Sequence, residues 1–298
     1  MIALAARAQT IDSGMHKRQR RHSALLACCV IVAMAYCGIG TVRADTRLNA
    51  HYAITMMGVS IGQITWTIDL GASNYSASAD GKASGALSIL VSGEGRVATR
   101  GTVNGARINP TFFSSNTTED DKIAGLQMTF ENGAVKTLRT DEPLRNSDRI
   151  PVGEADRQGV TDPLSAMLIA VPAGGHALAA ASCDRVLAVF DGQRRYNLIL
   201  TFKRMDSVKI ERGYAGPVLV CAVTLQPIAG YRADSLLVKY VGGRRDMEIW
   251  FAPIIGSSVA APARLVMPTL IGTLEIAANR FEIVAPKPAP TAPSEPIR

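Results

Sequence analysis

Alternation of apolar and polar residues with a period of two is the feature of this sequence that most limits its fold. Between Gln63 and Leu70 every second residue is apolar, and the residues between them are polar. Such a segment forms a strand with one buried face. The same pattern recurs in Leu126–Phe130, Arg195–Lys203 and Asp246–Phe251. The sequence therefore predicts a mainly β protein.

Turn-forming dipeptides separate these segments. Asn104–Gly105, Asn132–Gly133 and Asp191–Gly192 tolerate positive φ and are typical of two-residue hairpins. Hairpins join antiparallel neighbours, so we expect a large curved antiparallel sheet or an incomplete barrel. Two β-sandwich domains are the alternative arrangement. A membrane barrel is disfavoured, because aromatic residues make up only 5% of the chain and a barrel needs aromatic girdles.

One segment departs from the strand pattern. Asp162 is suited to an N-cap and Pro163 to the first helical position. Leu164, Met167, Leu168 and Val171 follow at helical spacing. The sequence therefore predicts one short helix near 162–171.

The N-terminal region has the organisation of an export leader. A basic cluster at residues 16–22 precedes an apolar run from Ala24 to Ile39, and Val42-Arg43-Ala44 then resembles a cleavage site. We predict cleavage after Ala44 and a periplasmic product, with an uncleaved anchor as the alternative. Translation starts at Met1 or at Met15, which directly precedes the basic cluster.

Removal of residues 1–44 changes the charge balance. The full chain has 32 Lys and Arg residues, 25 Asp and Glu residues and a net charge of +7. Six of those basic residues and one acidic residue lie in the leader, so the remainder has a net charge of +2. This small excess argues against nucleic acid as a partner.

We expect a single β-rich domain over 45–284 with no membrane span, and a disordered tail over 285–298, which contains five prolines.

Only two of the five cysteines, Cys183 and Cys221, lie outside the leader. An exported chain meets an oxidising compartment, so we predict a disulfide between them. Two buried free thiols are the alternative.

The stretch Phe190–Tyr196 is the richest local candidate for a binding site. Arg194 and Arg195 offer guanidinium groups to a phosphate or carboxylate, and Tyr196 offers a ring for stacking. The structural interpretation of the same residues is a hairpin turn at Asp191 and Gly192 followed by the mouth of a strand. We favour the structural interpretation and keep Arg194, Arg195 and Tyr196 as candidate ligand-binding residues.

Catalytic and metal-binding motifs are missing from the sequence. His51 and His176 are the only histidines outside the leader, and neither belongs to a zinc motif. There is no Gly-x-Ser-x-Gly elbow. We therefore predict no catalytic residues, no metal and no cofactor. A hydrolase acting on cell-envelope material, with Asp191 and Glu248 as its acids together with Arg195, is retained as an alternative.

Five segments in order resemble one known family. They are His51–Gly62, Asp162–Ala166, Val189–Tyr196, Tyr214–Cys221 and Pro227–Gly230. Together they resemble the exported proteobacterial family of domain of unknown function 3108, over about residues 50–282. The resemblance implies a periplasmic, β-rich protein and supplies no catalytic residues.

These observations predict a non-catalytic protein that binds a ligand or partner on the concave apolar face of its sheet. A lipid or another cell-envelope component suits the predicted compartment and shape. A structural scaffold that docks envelope proteins by pairing with an edge strand is a further alternative.

Overall fold

A computed structural model describes residues 46–83, 93–119, 122–141, 148–172, 178–242, 244 and 246–284. The described residues all belong to one compact unit. The predicted leader (1–44), the predicted tail (285–298) and His176 lie outside the described residues.

Fifteen strands form one sheet, which confirms the mainly β prediction. The strands are β1 (Thr46–Met56), β2 (Val59–Leu70), β3 (Asn74–Ala83), β4 (Gly93–Asn104), β5 (Arg107–Glu119), β6 (Lys122–Glu131), β7 (Ala134–Thr140), β8 (Ile169–Ala170), β9 (Arg185–Phe190), β10 (Arg195–Lys209), β11 (Arg212–Gly213), β12 (Ala215–Ala229), β13 (Met247–Pro253), β14 (Val259–Thr269) and β15 (Gly272–Val284). In the described part of the chain one α-helix, α1 (Leu236–Gly242), lies between β12 and β13.

The sheet is antiparallel along its main path and is not closed. Its order is β7-β6-β5-β4-β3-β2-β1-β15-β14-β13-β12-β10-β9, with β8 beside β14 and β11 beside β15. The first strand therefore pairs with the last, and Ala50 lies opposite Phe281. Strands β7 and β9 form the two edges, as expected for an incomplete barrel.

The two ends of the sheet carry different connections. We call the end where β1, β3, β5, β7, β9, β12 and β14 finish the upper rim. It holds the β1–β2 and β14–β15 hairpin tips, the β9–β10 turn and α1. The opposite end, the lower rim, holds the start of β1 and the end of β15.

The alternation seen in the sequence sorts side chains onto two faces. In β12, Val218 and Val220 belong to an inner core, and Leu219 and Cys221 belong to an outer layer. The inner core collects buried side chains from strands on both sides of β1, including Leu48, Trp66, Ile68, Met128, Trp250 and Phe281. The inward face is therefore packed with protein side chains and does not form the open concave surface that we expected.

The outer layer exists because the chain after residue 165 folds back over β9, β10, β12, β13 and β14. The predicted disulfide between Cys183 and Cys221 is present in this layer, with its two Cα atoms 5.5 Å apart. It attaches the covering segment to β12. Both cysteines are fully buried.

The segment between β7 and β9 covers part of the open seam. Val160 N–H donates to the Gly133 carbonyl at 2.8 Å, so it reaches the β6–β7 turn. Thr161 N–H donates to the Ala188 carbonyl at 2.8 Å, and Phe190 N–H donates to the Thr161 carbonyl at 2.9 Å. Thr161 thus forms a parallel bridge to the edge strand β9.

The helix predicted near 162–171 is wrong apart from one turn. Ser165–Met167 forms a single turn of 3-10 helix, and Ile169–Ala170 then becomes β8. Tertiary contacts override the local helical preference here, because the backbone of β8 pairs with Val259 and Ala260 of β14. The apolar residues at helical spacing are divided between the two layers: Leu164 and Leu168 join the inner core, and Val171 joins the outer layer.

Candidate functional site

An open cavity of about 790 Å³ lies at the upper end of the seam. Its apolar lining includes Val97, Phe113, Leu126 and Leu164. Its polar lining includes Ser115, Thr117, Asp191, Gln193 and Arg194. The volume falls in the range of small-molecule sites, about 300–1,000 Å³. The cavity therefore combines a mostly apolar wall, in which Ser115 is paired with Val97 and Leu126 on the neighbouring strands, with a polar wall that carries both an acid and a base.

The polar wall is built by the turn Asp191–Arg194, which joins β9 to β10. Asp191 Oδ1 accepts hydrogen bonds from the backbone N–H groups of Gln193 at 2.9 Å and Arg194 at 2.6 Å. The Asp191 N–H donates to the Arg194 carbonyl at 3.1 Å. Phe190 pairs with Arg195, so four residues join β9 to β10, and the expectation that Asp191–Gly192 forms a two-residue hairpin loop is wrong. The carboxylate is used to hold the turn.

Gly192 fits the turn against the opposite side of the barrel. Its φ is +96°, a region that favours glycine. A Cβ atom at this position would lie 2.2 Å from Leu126 Cδ1 in β6. The turn thus contacts the far side of the seam and forms part of the cavity lining.

The structure separates the three candidate ligand-binding residues. Arg194 lines the cavity and is half-exposed. Arg195 instead donates from Nη1 to the Tyr196 carbonyl at 2.6 Å and to Asn197 Oδ1 at 2.8 Å, and burial lowers its pKa. Tyr196 packs against the outer layer, where burial raises the pKa of its phenol. Neither Arg195 nor Tyr196 is among the residues that line the cavity.

Among the described residues, the guanidinium group of Arg194 has no close ion-pair partner that would neutralise its charge. Its Nη1 atom lies 3.7 Å from Asp191 Oδ2, a long ion pair at a half-exposed position. Its guanidinium group lies 5.9 Å from the centre of the Tyr231 ring, within cation–π range. Burial, followed by the nearby Asp191 carboxylate, raises the pKa of Tyr231 to about 12. The tyrosine therefore stays neutral near pH 7 and leaves Arg194 without a second anionic neighbour.

A buried polar network lies behind the apolar wall. Asp162 is completely buried, and its Oδ1 atom accepts from the N–H groups of Leu164 and Ser165, both at 2.9 Å. Its Oδ2 atom accepts from Ser165 Oγ at 2.5 Å and from Thr99 Oγ1 at 2.9 Å. Tyr75 Oη lies 2.6 Å from Ser165 Oγ. The network fastens the seam segment to β3 and β4.

Burial raises the pKa of the Asp162 carboxyl above its usual 3.8, and the four hydrogen bonds act in the opposite direction. The sequence identified Asp162 only as a helix cap. Thr99 and Tyr75 lie far from it along the chain, so no local motif pointed to the network. Because Asp162 is closed off from solvent, its role is structural.

The carboxylates of the hydrolase alternative have separate partners. Asp191 is bound within its own turn. Glu248 in β13 is ion-paired with Lys203 and Arg204 of β10. Arg195 directs its Nη1 donor to the Tyr196 carbonyl and Asn197 Oδ1 instead of to either carboxylate. The structure thus gives each group a structural partner and does not bring the three into one reacting site.

Two arginines flank Trp250 beside these ion pairs. The guanidinium groups of Arg204 and Arg264 lie 5.3 Å and 4.9 Å from the Trp250 ring. Arg264 Nε also donates to Glu275 at 2.8 Å. The indole is nearly buried, so this cluster covers the inner core from solvent.

Two further findings concern metals and membrane helices. Within the described ranges, no three His, Cys, Asp or Glu side chains are grouped so as to hold a metal ion. No helix in that same part of the chain is long and apolar enough to cross a membrane.

The fold and the cavity define a class of protein: an incomplete antiparallel β-barrel with a packed interior and an open, partly charged cavity at one rim. The chain belongs to the family described as protein of unknown function (DUF3108), whose family model matches residues 51–278. This membership confirms the resemblance identified from the five segments. No curated protein matches the chain.

A solved structure is similar to this chain. It is a β-barrel-like protein of domain of unknown function DUF1849 from Brucella abortus, with a TM-score of 0.46 and 10% sequence identity. The alignment covers 81% of this chain and 98% of that one.

Proposed function

We propose that this is a non-catalytic periplasmic protein that binds an amphiphilic, anionic component of the cell envelope in the upper-rim cavity. The observation that carries the proposal is the two-sided lining. Val97, Phe113 and Leu126 form an apolar wall, and Arg194 is a half-exposed cation opposite it. An apolar wall with a few well-placed polar groups is typical of small-molecule sites.

The negative charge proposed for the ligand follows from the hydrogen-bond donors that Arg194 leaves free. The Asp191 carboxylate accepts two backbone hydrogen bonds and approaches the guanidinium only to 3.7 Å. Arg194 therefore retains donors for a second anion, and a guanidinium binds carboxylate or phosphate with two parallel hydrogen bonds. Ser115 and Thr117 add hydroxyl groups from strand β5, which also carries Phe113 of the apolar wall.

A non-catalytic role agrees with the positions of the two carboxylates considered for the hydrolase alternative. Asp191 is engaged in its turn, and Glu248 is ion-paired elsewhere. The scaffold alternative receives less support, because edge strand β7 carries Lys136 and Arg139, and charged side chains are typical of edges protected from pairing. Strand β9 is partly covered by the bridge from Thr161.

The proposal is tested by native mass spectrometry of protein recovered from cells expressing the full chain. We expect a co-purifying anionic amphiphile in the wild-type protein. Ala124→Phe, which places a large ring in the cavity lining, should remove it, and Arg194→Ala should lower its occupancy about tenfold, since a charge-assisted hydrogen bond contributes about 1.5–3 kcal/mol.

Arg107→Ala serves as the matched control, because Arg107 lies at the lower rim, away from this cavity. A wild-type protein that carries no ligand and binds none from envelope lipid extracts would contradict the proposal. Equal loss of ligand in Arg107→Ala and Arg194→Ala would also contradict it.

A further inference from the structure

Strongly exposed apolar side chains are concentrated at the upper rim. Seven large apolar side chains in the described part of the chain are more than half exposed. Six of them belong to elements at the upper rim: Met57, Val59, Ile123, Leu236, Leu270 and Ile271. The seventh, Val186, lies in the edge strand β9. Single exposed apolar residues are ordinary, but a concentration at one end indicates an interaction surface.

Two hairpin tips form the centre of this surface. Met57 N–H donates to the Thr273 carbonyl at 2.9 Å, which joins the β1–β2 tip to the start of β15. The Met57 side chain lies directly over Gly272. Tyr240 Oη in α1 donates to the Thr269 carbonyl at 3.1 Å, so the helix that carries Leu236 is attached to the same tips. We call Met57, Val59, Leu236, Leu270 and Ile271 the apolar tips.

Large apolar residues occupy turn positions where polar residues are usual. Met57 has a φ of +49°, which is uncommon for a residue that is not glycine, asparagine or aspartate. Leu270 and Ile271 form the β14–β15 turn itself, and they are 58% and 72% exposed. Asn, Asp, Gly and Ser dominate such turns for conformational reasons. Neither turn geometry nor core packing explains these residues, so their apolar surface requires another explanation.

The two hairpins also carry no charge near their tips. No Asp, Glu, Lys or Arg occurs in residues 52–68 or in residues 265–274. Glu275 in β15 is the first charged residue after this stretch, and it is ion-paired with Arg264 in β14. Moving the tips into an apolar medium therefore requires no ionised side chain on the hairpins to lose its water.

We propose that the upper rim docks on the surface of a lipid bilayer, with the apolar tips inserted among the acyl chains and headgroups. Five side chains that are 56–76% exposed present less area than the about 800 Å² that each partner buries in a stable protein interface. Ile123 lies on β6, five strands away from β1 in the sheet order. A flat bilayer can contact separated points around a rim at the same time, which a second copy of the chain or a peptide cannot do as readily.

Apolar insertion, rather than attraction to anionic lipid, drives this docking. Neither hairpin carries a Lys or Arg within residues 52–68 or 265–274, so the tips offer no cation to an anionic surface. Docking should therefore occur on phosphatidylcholine vesicles and should persist in high salt, because salt screens charge interactions and leaves apolar burial intact. The docking uses different side chains from the proposed ligand cavity and does not depend on it.

Tryptophan placed at a tip tests this directly. The native Trp66 and Trp250 are 5% and 6% exposed, so a lipid-borne quencher reaches them poorly. Leu270→Trp and the matched control Val186→Trp are prepared from cells expressing the full chain and mixed with vesicles of brominated phosphatidylcholine. We expect quenching and a blue shift of the new tryptophan at position 270 and neither change at position 186.

Partitioning of tip variants gives a second measurement. Met57→Ser and Ile271→Ser should each lower the vesicle partition coefficient about fivefold, since each removes one apolar side chain from the inserted surface. Val186→Ser should leave it unchanged. The local quenching measurement at position 270 reports this rim whether or not the N-terminal leader remains attached.

Absence of quenching at position 270 would overturn the proposal, as would equal quenching at positions 270 and 186. A dimer that Ile271→Ser dissociates, together with no vesicle binding, would assign the tips to self-association instead. Loss of the cavity ligand in Ala124→Phe with unchanged docking would show that the two surfaces act separately and would leave this proposal standing.

Discussion

Replacement of Asp162 by alanine should destabilise the protein by about 3 kcal/mol. The change leaves the N–H groups of Leu164 and Ser165 without their acceptor at a site that is completely buried. Each unsatisfied buried donor costs about 1–3 kcal/mol. The hydroxyl groups of Thr99 and Ser165 lie 3.0 Å apart and can bond to each other, so they add little.

Asp162→Asn is the matched control for this loss. Its side-chain oxygen can still accept from both N–H groups, and its amide can donate to the two hydroxyl groups. We expect a loss of about 1 kcal/mol, because the hydroxyl groups must reorient. Urea unfolding, followed by the fluorescence of the two buried tryptophans with the disulfide intact, measures both free energies of unfolding.

The pH dependence gives an independent check. Burial raises the folded-state pKa of Asp162 above 3.8, so the folded state binds this proton more tightly than the unfolded chain does. The resulting stability is fully present below the unfolded pKa and is lost as the pH rises through the folded pKa. The stability of the wild type relative to Asp162→Asn should therefore be greater at about pH 3.5 than at about pH 7.

Two results would refute this reasoning. The first is an Asp162→Ala protein whose free energy of unfolding lies within about 0.5 kcal/mol of the wild type, the usual range for a surface substitution. The second is a difference between wild type and Asp162→Asn that stays constant or grows as the pH rises. Either result would mean that the network does not fasten the seam.

Three further changes probe other parts of the fold. Gly192→Ala should lower the free energy of unfolding in urea by more than about 2 kcal/mol, because its Cβ meets a β6 side chain. Gly105→Ala is the control, since Gly105 also has a positive φ but faces open space, and it should cost about 1 kcal/mol. Equal costs would contradict the contact between Gly192 and β6. Cys183→Ser should lower the free energy of unfolding by up to about 4 kcal/mol, and a reductant should then have no further effect. Arg264→Ala should cost about 0.5–1 kcal/mol and shift Trp250 emission to longer wavelength, and an unchanged spectrum would argue against the stacking.

Much of the strand layout was predictable from the period of the sequence. The alternating segments Gln63–Leu70, Leu126–Phe130 and Asp246–Phe251 lie in or overlap β2, β6 and β13. The alternation of apolar and polar residues along a strand depends only on the local sequence, so it can be read without knowing the order of the strands in the sheet. Asn132–Gly133 forms its hairpin turn with both φ angles positive, as the dipeptide predicts.

Features that depend on distant contacts were not predictable. The segment after Asp162 has helical spacing, yet its backbone pairs with β14, and no local pattern reveals that partner. Helix α1 was missed, because a seven-residue apolar segment is compatible with either a strand or a helix. The cavity combines Arg194 with Val97 and Leu126 from the far side of the seam, so only one of its lining residues was among the predicted binding residues.

The neighbouring position of β1 and β15 in the sheet has a consequence for the order in which the chain can fold. Ala50 pairs with Phe281, so β1, the first of the described strands, gains its second partner only when β15, the last of them, has been synthesised. Early hairpins such as β4–β5 need no such delay. Long-range pairings of this kind slow folding, because the entropy of closing the whole chain is lost before the contacts form. A polypeptide truncated before β15 would keep most of its hairpins and still lack the central pair on which both halves of the sheet are assembled.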